Sequence, residues 1–594
     1  MKNKIIIISL FWMLLFISGC EDFLDRPPLS NENDETAWTS EDKVRLYANQ
    51  FYTGFFTGYS TDVSLFNDDV VQRGNQGNFT RSVPNSNIWS MKTLRSINIL
   101  IDRVGNRMQD ILPEEAYNHW MGIGRFFRGM EYADLVFTYG DVPYYDHVVS
   151  DIDMDDLYKA RTPRNNVMDA VYDDLQFAFQ NVRLNDGDQT VNRYIVAGFI
   201  SRIALYEGTW QKYYYKNNER ATKFLTLAKE ASEFIINSNK YYIDSDFRTL
   251  FTSNDLKSNK ECILFRNYNA EIKVTHSVAH YNNPANSINY GGTTDLLKAF
   301  LCVDGNVWQN STTEGAKDFT IANLVKTRDS RFEGTFYDKP EINAKGSFLF
   351  PVKFFPRYGI KAVEETGTVP NELKGSNNVT DAPILRYAEI LLNWIESKAE
   401  LATIGGSAVT QEDIDASINK IRDRPLAPEA VEKGVQKTKA MMLDALPNDP
   451  AKDPNVSSLL WEIRRERRME FIFENLRLAD LKRWAKLEYM DTDMHSELLS
   501  GAWVNFPVEA KDQLTAGNAN EFSVTKADGT TIVYNGNNNA EMVGFYKATV
   551  TKGRQPFLNQ VNVNPYLSPV GKTQMDNYES KGYKLQQTQG WPQN

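Results

Sequence analysis

The sequence predicts a mainly α protein: a superhelix of stacked helical hairpins that carries a large irregular, loop-rich half. Three observations predict it. From about residue 41 to 237 apolar residues recur at helical spacing; between 262 and 380 the texture changes to Gly, Asn and Pro punctuation around short apolar runs; and helical spacing returns at 383–402, 411–422 and 456–487. With 42% hydrophobic and 12% aromatic residues in 594, the chain can bury a sizeable core.

The elements follow in order. Val44, Tyr47, Ala48, Phe51, Tyr52 and Phe55 form one helical stripe, and Leu94, Ile97, Ile101, Val104 and Met108 form the next. Phe126, Phe127, Met130, Ala133, Leu135 and Val136 lie on a third, stopped by Gly140 and Pro143. Further helices are expected at 165–182, 193–215 and 219–237. Successive hairpins that bury their apolar faces on neighbours build a tetratricopeptide-like superhelix, here without a strict 34-residue repeat. Runs such as Cys262–Phe265 and Phe348–Phe355 read as short strands among loops, and the last 100 residues are again irregular and rich in Asn and Gly. The expected division is a leader at 1–19, a helical region at 20–260, and a C-terminal region at 261–594. That last region holds an insertion (262–380), scaffold helices (383–487) and a tail (488–594). Loops held on a rigid scaffold are where binding sites tend to lie.

The first twenty residues are the most specific local signal. Lys2 and Lys4 precede an apolar run from Ile5 to Ile17 broken only by Ser9, and Ile17-Ser18-Gly19-Cys20 closes it. The run is shorter than the roughly 20 residues of a spanning helix and reads as an export signal whose closing box resembles that of a bacterial lipoprotein. Cys20 is the expected lipid attachment site. At about 0.8 kcal/mol per buried methylene, two or three acyl chains anchor a protein stably. Loss of residues 1–19 takes the formal charge from −11 to −13, which argues against nucleic acid and anionic lipid headgroups as partners. Besides Cys20 only Cys262 and Cys302 remain; they read as two buried thiols, although one disulfide is open to them.

Catalytic and metal signals are weak. Asp151, Asp153 and Asp155 alternate as in a calcium loop, but Asp156 and Thr162 stand where an EF-hand needs Gly and Glu. The five histidines include no HExxH, and no phosphate loop, dinucleotide fingerprint or nucleophile elbow occurs, so no metal and no cofactor is expected. Glu114-Glu115 and Asp173-Asp174 are expected on solvent-facing helix turns, where adjacent carboxylates do not face a common bond. The basic stretch Trp461–Glu470 reads as a structural helix, with Arg467 and Glu470, Glu474 and Arg477, and Asp480 and Arg483 paired along it.

Aromatic side chains point further. Sugar rings present apolar C–H faces that stack on flat rings, leaving their hydroxyls to Asn, Asp, Arg and Gln. Most of the 11 Trp, 29 Tyr and 33 Phe must serve the core, so candidates are those in irregular segments: Phe79, Trp89, Tyr281, Tyr290, Trp308, Tyr358 and Trp503.

Several segments resemble the SusD/RagB family of outer-membrane lipoproteins. They are Cys20-Glu-Asp-Phe-Leu-Asp25; Gly140-Asp-Val-Pro143; Tyr290–Leu297 with Asp304-Gly305; Arg328-Asp-Ser-Arg331; Ile384–Leu392; Glu466–Glu474 followed by Arg477, Asp480 and Arg483-Trp484; and Pro569 with Gln587–Trp591. Asn475 departs from the family's usual Gly and, expected inside a strong helix, carries no consequence. The resemblance implies a non-enzymatic, lipid-anchored protein of the outer membrane. Such a protein captures an oligo- or polysaccharide and acts as the lid of a SusC-like TonB-dependent porin during uptake. Two alternatives are a RagB-like lid that captures peptides and a surface glycoside hydrolase. The residues around 384–392 and 466–484 are expected to be scaffold.

Overall fold

The computed structural model describes residues 34, 37–59, 67–76, 81–86, 89–554, 558 and 560–593. The leader, Cys20 and Phe79 lie outside the described residues. Six longer helices fill the first half: α1 (Glu41–Asn49), α2 (Lys92–Arg107), α3 (Glu114–Tyr139), α4 (Arg164–Asn181), α5 (Arg193–Tyr213) and α6 (Asn218–Asn237). Their ends follow local chemistry. Glu114 and Glu115 complement the positive end of α3, which stops at Gly140 with φ 79°. The Asn192 side chain accepts the Tyr194 and Ile195 N–H groups to open α5, and Asn217 accepts that of Arg220 to open α6.

Consecutive helices pack as hairpins, α2 with α3, α3 with α4 and α5 with α6. A helix from the second half, α7 (Tyr387–Ala402), continues the stack against α5 and α6, followed by α8 (Ser458–Glu470). One apolar core runs through the stack, from Trp38 to Leu585, and takes in Ile390, Ile395, Leu460 and Ile463. The protein is therefore mainly α with the tetratricopeptide-like arrangement that the periodicity predicts. Close helix approach rests on missing side chains: a Cβ on Gly208 would meet Leu225 at 2.7 Å, and one on Gly198 would meet Leu385 at 2.3 Å.

The second half departs from expectation in five places. Residues 382–386 form a strand, β4, that pairs with β2 (Cys262–Arg266) and passes directly into α7. Pro383 disfavours helix at Ala382, and the paired strand buries Arg386. The segment expected as one helix at 456–487 is two, α8 and α9 (Arg477–Arg483), because Phe473 and Asn475 take left-handed φ values of 61° and 62°. Asn475 therefore sits in a turn where Asn and Gly are favoured, and not inside a helix. The 411–422 segment also divides, at Ser417. The insertion contains short helices such as Ile321–Thr327 and Arg357–Thr366 besides β2 and β3 (Tyr290–Gly292), which pairs with β1 (Val70–Gln72). The tail carries an antiparallel sheet of β5 (Trp503–Asn505), β6 (Phe522–Thr525), β7 (Thr531–Val533) and β8 (Val543–Ala548) in the order β5-β8-β6-β7. A second core, including Phe300, Phe332, Phe336, Phe506 and Tyr546, unites the insertion with this sheet.

Cys262 and Cys302 are both buried, free thiols. Asp174 is buried, and not solvent-facing as expected, because its carboxylate receives the Arg128 Nε at 2.7 Å and Nη2 at 2.8 Å.

Candidate functional site

Helix α8 has two working faces. Ile463, Glu466, Arg467 and Glu470 recur at helical spacing on the buried side. There Glu470 receives Arg331, Arg386 and Arg424, and Arg467 meets Asp480 at 3.0 Å and Glu396 at 3.2 Å. Only the Asp480–Arg483 pair expected from spacing forms locally, at 2.8 Å; Glu474 goes to Lys353 and Arg386, and Arg477 to Asp68. Charges one turn apart thus tie distant segments together.

The opposite face presents Trp461, Arg464, Arg465 and Arg468, again at i, i+3, i+4 and i+7. These four side chains line a cavity of about 610 Å³, closed by Trp308, Trp484 and Tyr489. Trp484 is buried, and its Nε1 donates to Glu396 at 2.7 Å. Trp461 Nε1 donates to Asp449 at 2.8 Å and Tyr489 Oη to Asp453 at 2.7 Å, with the two rings edge to face at 6.1 Å. Across the cavity Trp308 leans edge-on against Phe319 at 5.1 Å, with the Lys298 ammonium 5.6 Å from its ring. Trp461 and Tyr489 are thus half-buried rings fixed at their polar edges, the anchorage that an aromatic contact surface needs.

Three of the acids here are held ionised. Burial would raise Asp453, but hydrogen bonds from Lys486 and Tyr489 bring it down to about 2. Against burial, Arg477 and Arg468 hold Asp68 far below the ordinary carboxylate range, and Arg465 and Trp461 lower Asp449. Such an arrangement can stack on a ring and exchange hydrogen bonds; these three carboxylates are poor general acids.

A second cavity, of about 640 Å³, lies between α3, α5 and α9 and is walled by Phe55, Phe137, Phe199 and Tyr206. It holds Glu131, raised to about 7 by burial and by Asp134, and Lys482, lowered to about 8 by burial and Arg81. No Trp lines it among the described residues, so the first cavity is the better stacking site.

Of the six singled-out aromatics that lie among the described residues, Trp308 alone lines the aromatic cavity. Trp503 joins it indirectly: its ring stands edge-on to Phe545 at 5.1 Å, and Phe545 touches Phe319 at 5.3 Å. Tyr281 and Tyr358 are exposed, at 41% and 51%, away from the cavity, and Tyr358 Oη meets Glu372 at 3.3 Å. Tyr290 packs partly buried against a small core in the insertion. Trp89 is corrected to a core residue: 7% exposed, edge-on to Tyr139 at 5.2 Å and covered by the Arg161 guanidinium, it offers no face to a ligand. Trp461, Trp484, Tyr489 and the three arginines went unrecognised as cavity residues. Their signal was present in the 461, 464, 465, 468 spacing, and the helix expected to be scaffold is scaffold on one face and cavity wall on the other.

Comparison with known proteins agrees with this architecture. The profile of the SusD family matches residues 260–591. SusD-like protein P2 of Formosa agariphila is 23% identical over 500 residues, covering 80% of this chain and 90% of the relative. Among solved structures, a SusD-like carbohydrate binding protein from Bacteroides fragilis superposes with a TM-score of 0.61 at 17% identity, covering 91% of this chain and 99% of that one. Surface glycan-binding protein A from Bacteroides fluxus superposes with a TM-score of 0.52 at 16% identity, covering 93% and 100%. Likeness at these identities establishes the shared fold.

Proposed function

The chain belongs to the SusD family, and from that premise we propose that it is a non-enzymatic surface protein that captures an oligosaccharide in the aromatic cavity. In this reading it is anchored to the outer membrane through acylated Cys20 and hands its ligand to a SusC-like TonB-dependent porin, which it covers as a lid. The observation that carries the capture role is the cavity itself: Trp308, Trp461 and Tyr489 around about 610 Å³, with charged side chains between them. That combination suits sugar rings, which need flat apolar contacts and polar partners at once. The lowered pKa values of Asp68, Asp449 and Asp453 make these three unsuited to the proton-donating role of a glycosidase acid.

The test is affinity electrophoresis and calorimetry of the purified protein against a polysaccharide panel, followed by Trp308→Ala and Trp461→Ala. Each variant is expected to weaken binding by about 1–3 kcal/mol, the range of a hot-spot aromatic, while the fold persists. Undiminished binding by both variants would place the site elsewhere. Release of reducing ends would overturn the non-enzymatic reading.

A further inference from the structure

We propose that the sugar chain taken by the aromatic cavity is acidic, and that a carboxylate or sulfate group on it is received by Arg468 and Arg477, beside Arg464; this inference rests on the capture reading above. The three guanidinium groups converge. Arg464 and Arg477 both lie against the Trp484 ring, at 4.5 and 5.9 Å from its centre, and Arg468 and Arg477 both reach Asp68, at 3.5 and 2.6 Å.

Arg468 and Arg477 have donors to spare, whereas the unpaired donors of Arg464 are buried. Arg464, 4% exposed, gives only Nη2, to Tyr213 Oη at 3.0 Å and Glu400 at 3.4 Å, while its Nε and Nη1 have no acceptor. Glu400 is meanwhile shared with Lys212 and Tyr213. Arg468 uses Nε on Asp69 at 2.6 Å and Nη2 on Asp295 at 2.8 Å, and Arg477 uses Nε and Nη2 on Asp68; Nη1 of each makes no hydrogen bond. Unlike the buried nitrogens of Arg464, these two are not closed off from the cavity.

The imbalance selects the ligand. A neutral sugar hydroxyl brings a donor with every acceptor and cannot absorb a surplus of N–H groups, whereas a carboxylate or sulfate brings acceptors alone. Charge-assisted bonds from arginine to such groups are about twice as strong as neutral ones, and the planar fork fits two oxygens together. The protein's overall charge of −11 does not oppose this at physiological salt, because screening limits its reach to about 8 Å while the Arg468 and Arg477 guanidinium groups line the cavity itself.

The experiment compares polygalacturonate (carboxylate), carrageenan (sulfate) and the neutral polymers amylose, xylan and β-1,4-galactan by affinity electrophoresis with the purified full-length protein. Binding of at least one acidic polymer is expected to exceed that of every neutral polymer by tenfold or more. The affinity should fall several-fold when sodium sulfate replaces sodium chloride at equal ionic strength, since sulfate competes for the guanidinium groups themselves. Which acidic polymer binds separates a carboxylate from a sulfate ligand. Arg477→Gln and Arg468→Gln are each expected to abolish the preference; should either fail to fold, the wild-type sulfate competition decides alone. Equal or stronger binding of a neutral polymer, unmoved by sulfate, would overturn the acidic ligand and leave glycan capture standing. Binding of none of the five would overturn both.

Discussion

Replacing Glu470 by Gln is expected to cost the protein about 3–5 kcal/mol of stability, because it leaves a buried charge uncompensated while preserving shape and an acceptor oxygen. Glu470 lies 0% exposed and takes Arg331 Nη1 at 3.1 Å, Arg424 Nη2 at 2.9 Å and Arg386 Nη1. Around it Arg331, Arg386, Arg422, Arg424 and Lys353 face Asp329, Glu261, Glu466, Glu470 and Glu474, so five cations meet five carboxylates. Removal of one carboxylate leaves a net positive charge in a medium where it cannot be solvated. If the chain unfolds as one unit, with an entropy on the order of 1 kcal/mol/K, Tm falls by about 3–5 °C. Urea unfolding followed by tryptophan fluorescence gives the free energy directly. Glu365→Gln is the control, since its pair with Lys361 is 3.9 Å long and solvent-exposed, and it should move stability by less than about 0.5 kcal/mol. A Glu470→Gln loss below about 1 kcal/mol, or one that shrinks strongly between 50 and 500 mM NaCl, would show that water reaches the network and would refute the argument.

Trp89→Ala should cost about 3–5 kcal/mol of stability and leave ligand affinity unchanged, the reverse of Trp308→Ala; thermal shift and calorimetry on both variants check the pair. His276 is lowered to about 4 by burial, against its bond to the Thr380 carbonyl, and its Nδ1 accepts the Val278 N–H, which protonation would forbid. Because the unfolded chain binds this proton near pH 6.5 and the folded one only near 4, His276 removes up to about 3 kcal/mol as pH falls through that window. Urea titrations at pH 7 and 4.5 should therefore show a smaller acid loss in His276→Gln than in the wild type. Asn475→Gly should be neutral within about 0.5 kcal/mol and Asn475→Ala should cost about 1–2 kcal/mol, measured by urea unfolding, since at φ 62° Gly is unstrained and Asn is tolerated through its short polar side chain, which Ala lacks.

The helical half was legible residue by residue. Expected helices at 165–182, 193–215 and 219–237 correspond to Arg164–Asn181, Arg193–Tyr213 and Asn218–Asn237. Their apolar stripes repeat over four or more turns, and stop signals such as Gly140 act within one turn. Short elements were less legible. The Ala382–Arg386 strand is held by Cys262–Arg266, more than a hundred residues away, and no local pattern carries that pairing. Nor did local pattern announce the tail sheet, whose strands are three to six residues long.

Charge and aromatic placement divide in the same way. The sequence by itself determined the architecture, the family and the kind of side chain available to a ligand, because periodicity, end signals and composition are properties of neighbours along the chain. Which side of α8 faces water, which acids its arginines meet and which of the tryptophans share a cavity were decided only by tertiary structure. Arg467 illustrates the reason: spacing offers it Glu470, three residues on, yet packing against α7 and α9 supplies Glu396 and Asp480 and reserves Glu470 for three other arginines. In a buried network each carboxylate goes where desolvation is best compensated, and that balance is set by the whole interior at once.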